Sequence, residues 1–372
     1  MKIFISINTS WNVFNFRAGL LRALISEGHQ VVVLAPEDDY SNRLIKLGCK
    51  FVPLPIDNKG INPFRDLVLF YRYIKIFLKD KPDLYLGYTV KPNIYGSIAG
   101  LLLGIRVVNN ISGLGTAYIS NNWLTKLVST FYKIAFSKSQ HVFFQNHDDM
   151  NLFISLGLIK PIQASRLPGS GINLNYFSYS PVKVKEGVPF TFLLVARLLW
   201  DKGVGEYVNA ARIIKKNNSN VNFQILGFLD VQNRTAVPTT QVTDWVNDGL
   251  IEYLGAHDDV RSFLIGADCV VLPSYREGVP KSLLEAASVG RPIITTDVVG
   301  CREAIDDNVS GFLCEVRNAE DLAHKMQKMI SLSFSERNEM GLAGRKKVEK
   351  EFDESIVINK YLEVISCLKK VV

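Results

Sequence analysis

The sequence predicts an α/β protein built from two successive βαβ series. Three observations carry this prediction. Short apolar runs of strand length alternate with helical patterns from the N-terminus onward. The alternation pauses over "YFSYSPVKVKEGVP" (Tyr176–Pro189), a polar stretch with two prolines and a glycine, and then restarts. The chain has 372 residues, enough for two domains of ordinary size. The expected division is a first domain over residues 1–178 and a second over residues 179–352.

In chain order, "MKIFISI" reads as a strand, "FRAGLLRALISEGHQ" as an amphipathic helix ending at Gly28, and "VVVLAP" as a second strand. The first strand leads into "NTSWNVFNFRAG", which lacks the GxGxxG of a dinucleotide fold. "KFVPLPI", "DLYLGYT", "RVVNNIS" and "HVFFQN" continue the strand series. After the pause come the strand "FTFLLVAR", the helix "VGEYVNAARIIKKN" and the strand "VNFQILG". "DCVVLPS" (Asp268–Ser274) and "RPIITTD" (Arg291–Asp297) are buried strands flanking a helix. "FDESIVINKYLEVISCLKKVV" closes the chain as one more helix. Two such domains leave a cleft, a common small-molecule site.

With 47% hydrophobic and 21% charged residues the chain is globular, not disordered. Its five cysteines are scattered, with no CxxC or Cys/His cluster, which argues against structural zinc and suits a reducing cytoplasm. The N-terminus lacks a signal-peptide pattern. The longest apolar run, "IAGLLLGI", is far short of a spanning helix. Residues 1–180 hold 19 Lys and Arg against 10 Asp and Glu, a net +9, while the remainder, with 24 against 26, is −2, so the whole positive excess lies in the first half. That asymmetry calls for an anionic partner: a membrane surface, a phosphate-bearing substrate or a nucleic acid.

"FRDLVLFYRYIKIFLKDKP" (Phe64–Pro82) shows where such a partner could lie. Leu67, Phe70, Tyr71, Ile74, Phe77 and Leu78 fall at helical spacing and are expected in the core. Arg65, Arg72 and Lys79 repeat every seven residues, with Lys75 beside them. Val68, Leu69, Tyr73 and Ile76 are apolar positions left over, with Tyr73 or Ile76 suited to a headgroup layer. The same pattern also fits a packed helix with a solvated face. No RNA- or DNA-binding motif surrounds it, so nucleic acid is not an expected partner.

"REGVPKSLLEAASVGRP" (Arg276–Pro292) places Glu277 before a helix and Glu285 inside it. Pro280 suits the first helical position, and Gly290 with Pro292 ends the helix. The unit is strand, loop, helix, strand, and the loop after a parallel strand is where ligands bind. Amides near Lys281 to Leu284 would face an anion there. On "VARLLWDKG", Arg197 and Lys202 also follow a strand end. A guanidinium fork, a point charge and a helix N-terminus together suit a pyrophosphate. "GLGTAY" (Gly113–Tyr118) and "GSGINL" (Gly169–Leu174) hold only GxG and read as turns. There is no P-loop and no DxD, and the acidic pairs are adjacent residues of the turn and cap kind, so no metal is expected. His147 is the one histidine just after a strand among polar residues.

Taken jointly, these segments resemble the retaining glycosyltransferases of family 4. "EGVPKSLLE" matches their E-x7-E signature, "VARLLWDKG" their strand with Arg and Lys, and "GSGINLNYF" their segment before the linker. "NFRAGLLRALISEGHQVVVLAP" is similar to the first βαβ of members that build bacterial surface polysaccharides. The resemblance implies the GT-B fold: an N-terminal acceptor domain and a C-terminal donor domain, both Rossmann-like, facing a central cleft, with the last helix (about 353–372) packed back on the first domain. It implies that Glu277 contacts the donor sugar and Glu285 the ribose. Gly278, Val279, Lys281, Ser282 and Leu283 would line the sugar and diphosphate, and Arg197 and Lys202 would neutralise the leaving diphosphate.

The implied reaction is metal-independent transfer, with retention, of a sugar from a nucleotide sugar (UDP-linked) to a polyprenyl-diphosphate-linked saccharide. The implied location is the cytoplasmic face of the plasma membrane. This sequence departs from the family where a Gly-Gly loop usually follows the first strand, and where Ser112 or Gly113 replaces a histidine. Arg17, Ser112 and Gly113 are the acceptor-side candidates, Arg17 for an acceptor phosphate. An epimerase of the same fold and a non-catalytic sugar-nucleotide binder are the alternatives; acceptor-dependent release of UDP separates them.

Overall fold

Apolar runs of four to six residues are too short for helices of ordinary length, and here they pair side by side into two parallel sheets. A computed structural model describes residues 1–57, 62–113, 123–182, 187–229, 233 and 235–369. Residues 183–186 of the predicted linker and residues 114–118 of "GLGTAY" lie outside them.

The chain forms two units, residues Met1–Gly171 with Glu354–Val372, and residues Ile172–Asp353. The passage from the first to the second therefore falls at 171/172, not 178. The reason is burial: Ile172 and Phe177, read as lying ahead of the second domain, sit in the second unit's core.

The first unit holds β1 (Lys2–Ser6), β2 (Gln30–Ala35), β3 (Lys50–Pro53), β4 (Leu84–Tyr88), β5 (Arg106–Ile111), β6 (His141–Phe144) and β7 (Ala164–Arg166), in the order β3-β2-β1-β4-β5-β6-β7. The second holds β8 (Phe190–Val195), β9 (Val221–Leu226), β10 (Glu252–Tyr253), β11 (Cys269–Leu272), β12 (Ile293–Thr296) and β13 (Gly311–Cys314), in the order β10-β9-β8-β11-β12-β13. Both sheets start at an inner strand, build outward one way, and then cross to the other side. The crossover leaves a switch point between β1 and β4, and another between β8 and β11. Strands β7 and β10 carry too few apolar residues in sequence to have been expected; the apolar β13, Gly311–Cys314, was not anticipated.

Alternate residues of each central strand enter separate cores, as a sheet covered on both faces requires. Ile3, Ile5, Val31 and Leu84 pack on one face of the first sheet, and Phe4, Val32, Leu34 and Tyr85 on the other. In the second unit Phe192, Phe223 and Val271 oppose Leu193, Val270 and Ile293. The last helix, Glu354–Lys369, sets Val357, Tyr361 and Ile365 at i, i+4, i+8 into the first unit's core beside Ile3 and Val31.

Two helices differ from expectation. The first runs Ser10–Ser26, six residues earlier than the pattern suggested, because the Thr9 side chain caps the Asn12 amide at 3.1 Å. "TSWNVFNFRAG" is thus mostly helix. The second is Pro63–Asp80, where the buried residues are Leu69, Tyr73 and Phe77. Tyr73 lies under the sheet with its hydroxyl 2.7 Å from Ser6 Oγ, so it cannot enter a headgroup layer, and Ile76 packs against the same core. Conversely Leu67, Tyr71 and Leu78, expected inside, are exposed along with Phe64 and Val68.

Candidate active site

Lys202 ends a short turn (Trp200–Lys202) after β8, and Glu277 lies in the loop after β11. These strands are neighbours, paired Cys269↔Phe192 and Val270↔Leu193, so their loops emerge together at the switch point. Two glycines let the backbones close in. Gly203 has φ +73 and would place a Cβ 2.0 Å from the Pro273 carbonyl; Gly300, at φ +85, would meet the Glu277 carbonyl at 2.3 Å. The Glu277 amide donates to Val299 O at 3.0 Å, fixing its loop against the one after β12.

The Glu277 carboxylate is held through one oxygen. Lys202 Nζ and Ser274 Oγ both reach Oε1, the latter at 2.8 Å. Ser274 is fully buried; its hydroxyl is also 3.1 Å from Asp201 O. The Lys202 and Glu277 side chains keep 16% and 14% exposure, so the pair is largely desolvated yet still faces solvent on one side. The second oxygen, Oε2, has no hydrogen-bond partner among the described residues. The sequence pattern does not single out Ser274; a lone hydroxyl closing an apolar strand three residues before Glu277 is the available signal.

Pro280 is the N-cap, with ψ 115, so the helix starts one residue later than expected and spans Lys281–Ser288. Leu283 and Leu284 donate to the Pro280 carbonyl at 3.1 and 3.4 Å, which removes them from the set of open amides. The amides of Gly278, Val279 and Ser282 have no protein acceptor among the described residues. Val279 and Leu283 are buried and pack the helix on the sheet. Glu285 points off this helix, 4.0 Å from Lys281 Nζ, and burial pushes its carboxyl up to about 7 despite that lysine. Arg197, two residues past β8, is exposed and forms no ion pair among the described residues. The structure thus joins Lys202 to Glu277 and Lys281 to Glu285, and leaves the Arg197 guanidinium open to solvent. No His, Cys, Asp and Glu cluster suited to a metal occurs among the described residues.

In the first unit Arg17 is buried in the helix after β1, with its guanidinium 4.8 Å over the ring of Tyr88, the last residue of β4. Ser112 donates to Asn110 Oδ1 at 2.8 Å, and Asn110 donates to the Tyr361 hydroxyl at 2.9 Å. Tyr361 lies beside Tyr88, so this chain of polar groups ends against the Arg17 site. Gly113 follows with φ 135. His147 is the exposed first residue of the helix His147–Ser155, which Asn146 caps.

Two doubly wound sheets of the same strand order define the GT-B class of two-domain proteins. A solved glycosyltransferase from Rickettsia africae superposes with a TM-score of 0.80 at 19% identity, over 99% of this chain and 98% of that one. Residues 178–347 match the family described as Glycosyl transferases group 1, and residues 2–146 match Glycosyl transferase 4-like. The chain belongs to the family 4, or group 1, glycosyltransferases. It is 29% identical, over 98% of both chains, to the N,N'-diacetylbacillosaminyl-diphospho-undecaprenol alpha-1,3-N-acetylgalactosaminyltransferase of Campylobacter jejuni. It is 27% identical to the UDP-Gal:alpha-D-GlcNAc-diphosphoundecaprenol alpha-1,3-galactosyltransferase of Escherichia coli, over 75% of this chain and 74% of that one.

Proposed function

We propose that this glycosyltransferase moves a hexosyl or N-acetylhexosaminyl group, with retention, from a UDP-linked donor to a polyprenyl-diphosphate-linked saccharide in bacterial surface-polysaccharide synthesis. The observation that carries this reading is the Lys202–Glu277 pair at the switch point, beside the open amides of Gly278, Val279 and Ser282. The names of the two relatives supply the substrate classes: both act on diphospho-undecaprenol saccharides, and one uses UDP-Gal.

In this reading Glu277 accepts from a hydroxyl of the donor sugar through Oε2, and Glu285 accepts from the ribose. The acceptor hydroxyl forms a bond to the anomeric carbon on the face the diphosphate leaves. The carbon–diphosphate bond breaks, and the hydroxyl proton passes to the departing phosphate oxygen. Negative charge grows on the diphosphate, and Lys202, Arg197 and the helix-end amides stabilise it. No metal takes part.

The first unit docks on the anionic inner face of the plasma membrane through the helix Pro63–Asp80, bringing the lipid-linked acceptor within reach; nucleic acid is not a partner. The test is incubation with a panel of nucleotide sugars and a short-chain polyprenyl-diphosphate saccharide, with and without chelator, followed by mass and anomeric NMR analysis. One added sugar of donor configuration, unaffected by chelator, is expected. Sugar interconversion without acceptor would make the protein an epimerase, and activity restored by magnesium or manganese after chelation would reject the metal-free reaction.

A further inference from the structure

The two sheets invite a comparison of what stands at each switch point. In the second unit the cation after the first strand, Lys202, meets a carboxylate supplied after the fourth strand in space, Glu277. In the first unit Arg17, in the helix after β1, faces the end of β4, and the residues that follow there are Thr89, Val90 and Lys91. No carboxylate fills the corresponding place.

Arg17 is 4% exposed, and its Nε is buried with no hydrogen-bond partner. Its Nη1 donates only to the neighbouring Phe16 carbonyl, at 3.3 Å. Arg17 forms no ion pair among the described residues; the Tyr88 ring lies beneath it, with Tyr361 and Asn110 beyond. The Tyr88 hydroxyl is also buried, faces the Tyr361 hydroxyl and makes no close hydrogen bond among the described residues. A buried guanidinium without an anion is strongly unfavourable, and removing it in favour of an apolar isostere of similar volume is commonly stabilising. Folding alone gives no reason to keep Arg17 here. A parallel sheet's switch point is where a ligand would supply the missing charge.

We infer that Arg17 and the Tyr88 hydroxyl form a second anion site, confined to the first unit, that takes a phosphate oxygen of the acceptor's diphosphate. The assignment of this anion to the acceptor rests on the transferase reading above; the anion site itself does not. Arg17 supplies the charge and the unpaired Nε–H, and Tyr88 supplies an O–H. The Ser112–Asn110–Tyr361 chain fixes the wall behind them.

The test compares wild type with Arg17→Met, Arg17→Lys and Tyr88→Phe in the full chain. Calorimetry with farnesyl diphosphate, farnesyl monophosphate, inorganic phosphate and UDP reads binding without turnover. Farnesyl diphosphate binding should weaken about tenfold or more in Arg17→Met, the loss of a charge-assisted hydrogen bond, while UDP binding stays unchanged. Tyr88→Phe should weaken it less, and Arg17→Lys should restore part of the loss. The melting temperature of Arg17→Met should equal or exceed that of wild type. A lowered melting temperature with unaltered diphosphate binding would make Arg17 a structural residue and overturn the inference. So would wild-type indifference to farnesyl diphosphate or loss of UDP binding in its place; an equal loss of inorganic phosphate binding would keep the anion site and reject its assignment to the acceptor. If the diphosphate binds through Arg17 but no nucleotide sugar is turned over, the transferase reading fails and the anion site stands.

Discussion

At the scale of single residues, the donor site turns on which oxygen of Glu277 is occupied. Glu277→Gln keeps the shape but cannot accept equally through both positions. Turnover should fall about tenfold or more with UDP affinity near wild type. Ser274→Ala removes one of the two donors to Oε1 and should lower kcat with little change in donor KM, and Ser274→Thr should restore it. Equal kcat in Ser274→Ala and wild type would show that Lys202 suffices.

Glu285 yields a pH prediction. Its carboxyl is raised from an ordinary 4.5 to about 7 by burial, so the native state holds its proton where the unfolded chain has lost it. The contribution of this group to stability is therefore fully present below the unfolded value and is lost as pH rises from there through about 7. Glu285→Gln, which cannot ionise, should melt with wild type near about pH 4 and above it at about pH 8; a constant gap across that range would contradict the shift. The E-x7-E spacing made both glutamates visible in sequence. Ser274 and the consumption of the Leu283 and Leu284 amides by Pro280 were not visible, because both depend on the ψ of one residue and the approach of separate loops.

Among secondary-structure elements the helix Pro63–Asp80 shows most clearly what periodicity can and cannot supply. Its amphipathic character is plain in sequence, but two apolar stripes compete and only packing chooses between them. The sheet takes Leu69, Tyr73 and Phe77, since Tyr73 finds Ser6 for its hydroxyl. Phe64 at 79% and Tyr71 at 65% exposure, with Leu67, Val68 and Leu78, form an outer apolar strip flanked by Arg72, Lys75 and Lys79. This corrected face suits a bilayer better than the expected one, because the apolar residues and the cations now lie on adjoining sides.

Wild type should co-sediment with anionic liposomes at low salt and less at high salt, each exposed cation contributing about 1 kcal/mol near the leaflet. Reversing Arg65, Arg72, Lys75 and Lys79 to Glu should abolish the salt-sensitive part. Changing Phe64, Leu67, Tyr71 and Leu78 to Ser should abolish the remainder. Liposome binding equal to wild type in both variants would leave this strip without a membrane role. No helix among the described residues is long and apolar enough to cross a membrane.

For the whole molecule, the alternation of strands and helices was enough to forecast two parallel sheets, but not where one unit ends. The linker looked like a boundary because it is polar, whereas the second unit already claims Ile172 and Phe177 through side-chain burial. The helix Glu354–Lys369 supplies Val357, Tyr361 and Ile365 to the first unit, and Arg106 donates to its Leu368 carbonyl at 2.8 Å. Deleting residues 354–372 should lower the melting of the first unit sharply while UDP binding by the second survives; retention of a single unshifted transition would show that this helix is dispensable.

That returning helix also sets an order of events during synthesis. A domain made first on the ribosome can ordinarily fold first. Here the N-terminal sheet is translated long before the residues that complete its core, so it must wait, with Ile3, Val31 and Tyr88 incompletely covered, until residues 354–369 are translated and clear the exit tunnel. The C-terminal domain, whose own residues are contiguous, can reach its native state earlier. Nascent chains stalled short of residue 354 should therefore engage chaperones through their first domain, and a stop codon that removes only the last turns should yield a protein that is half folded and quickly degraded.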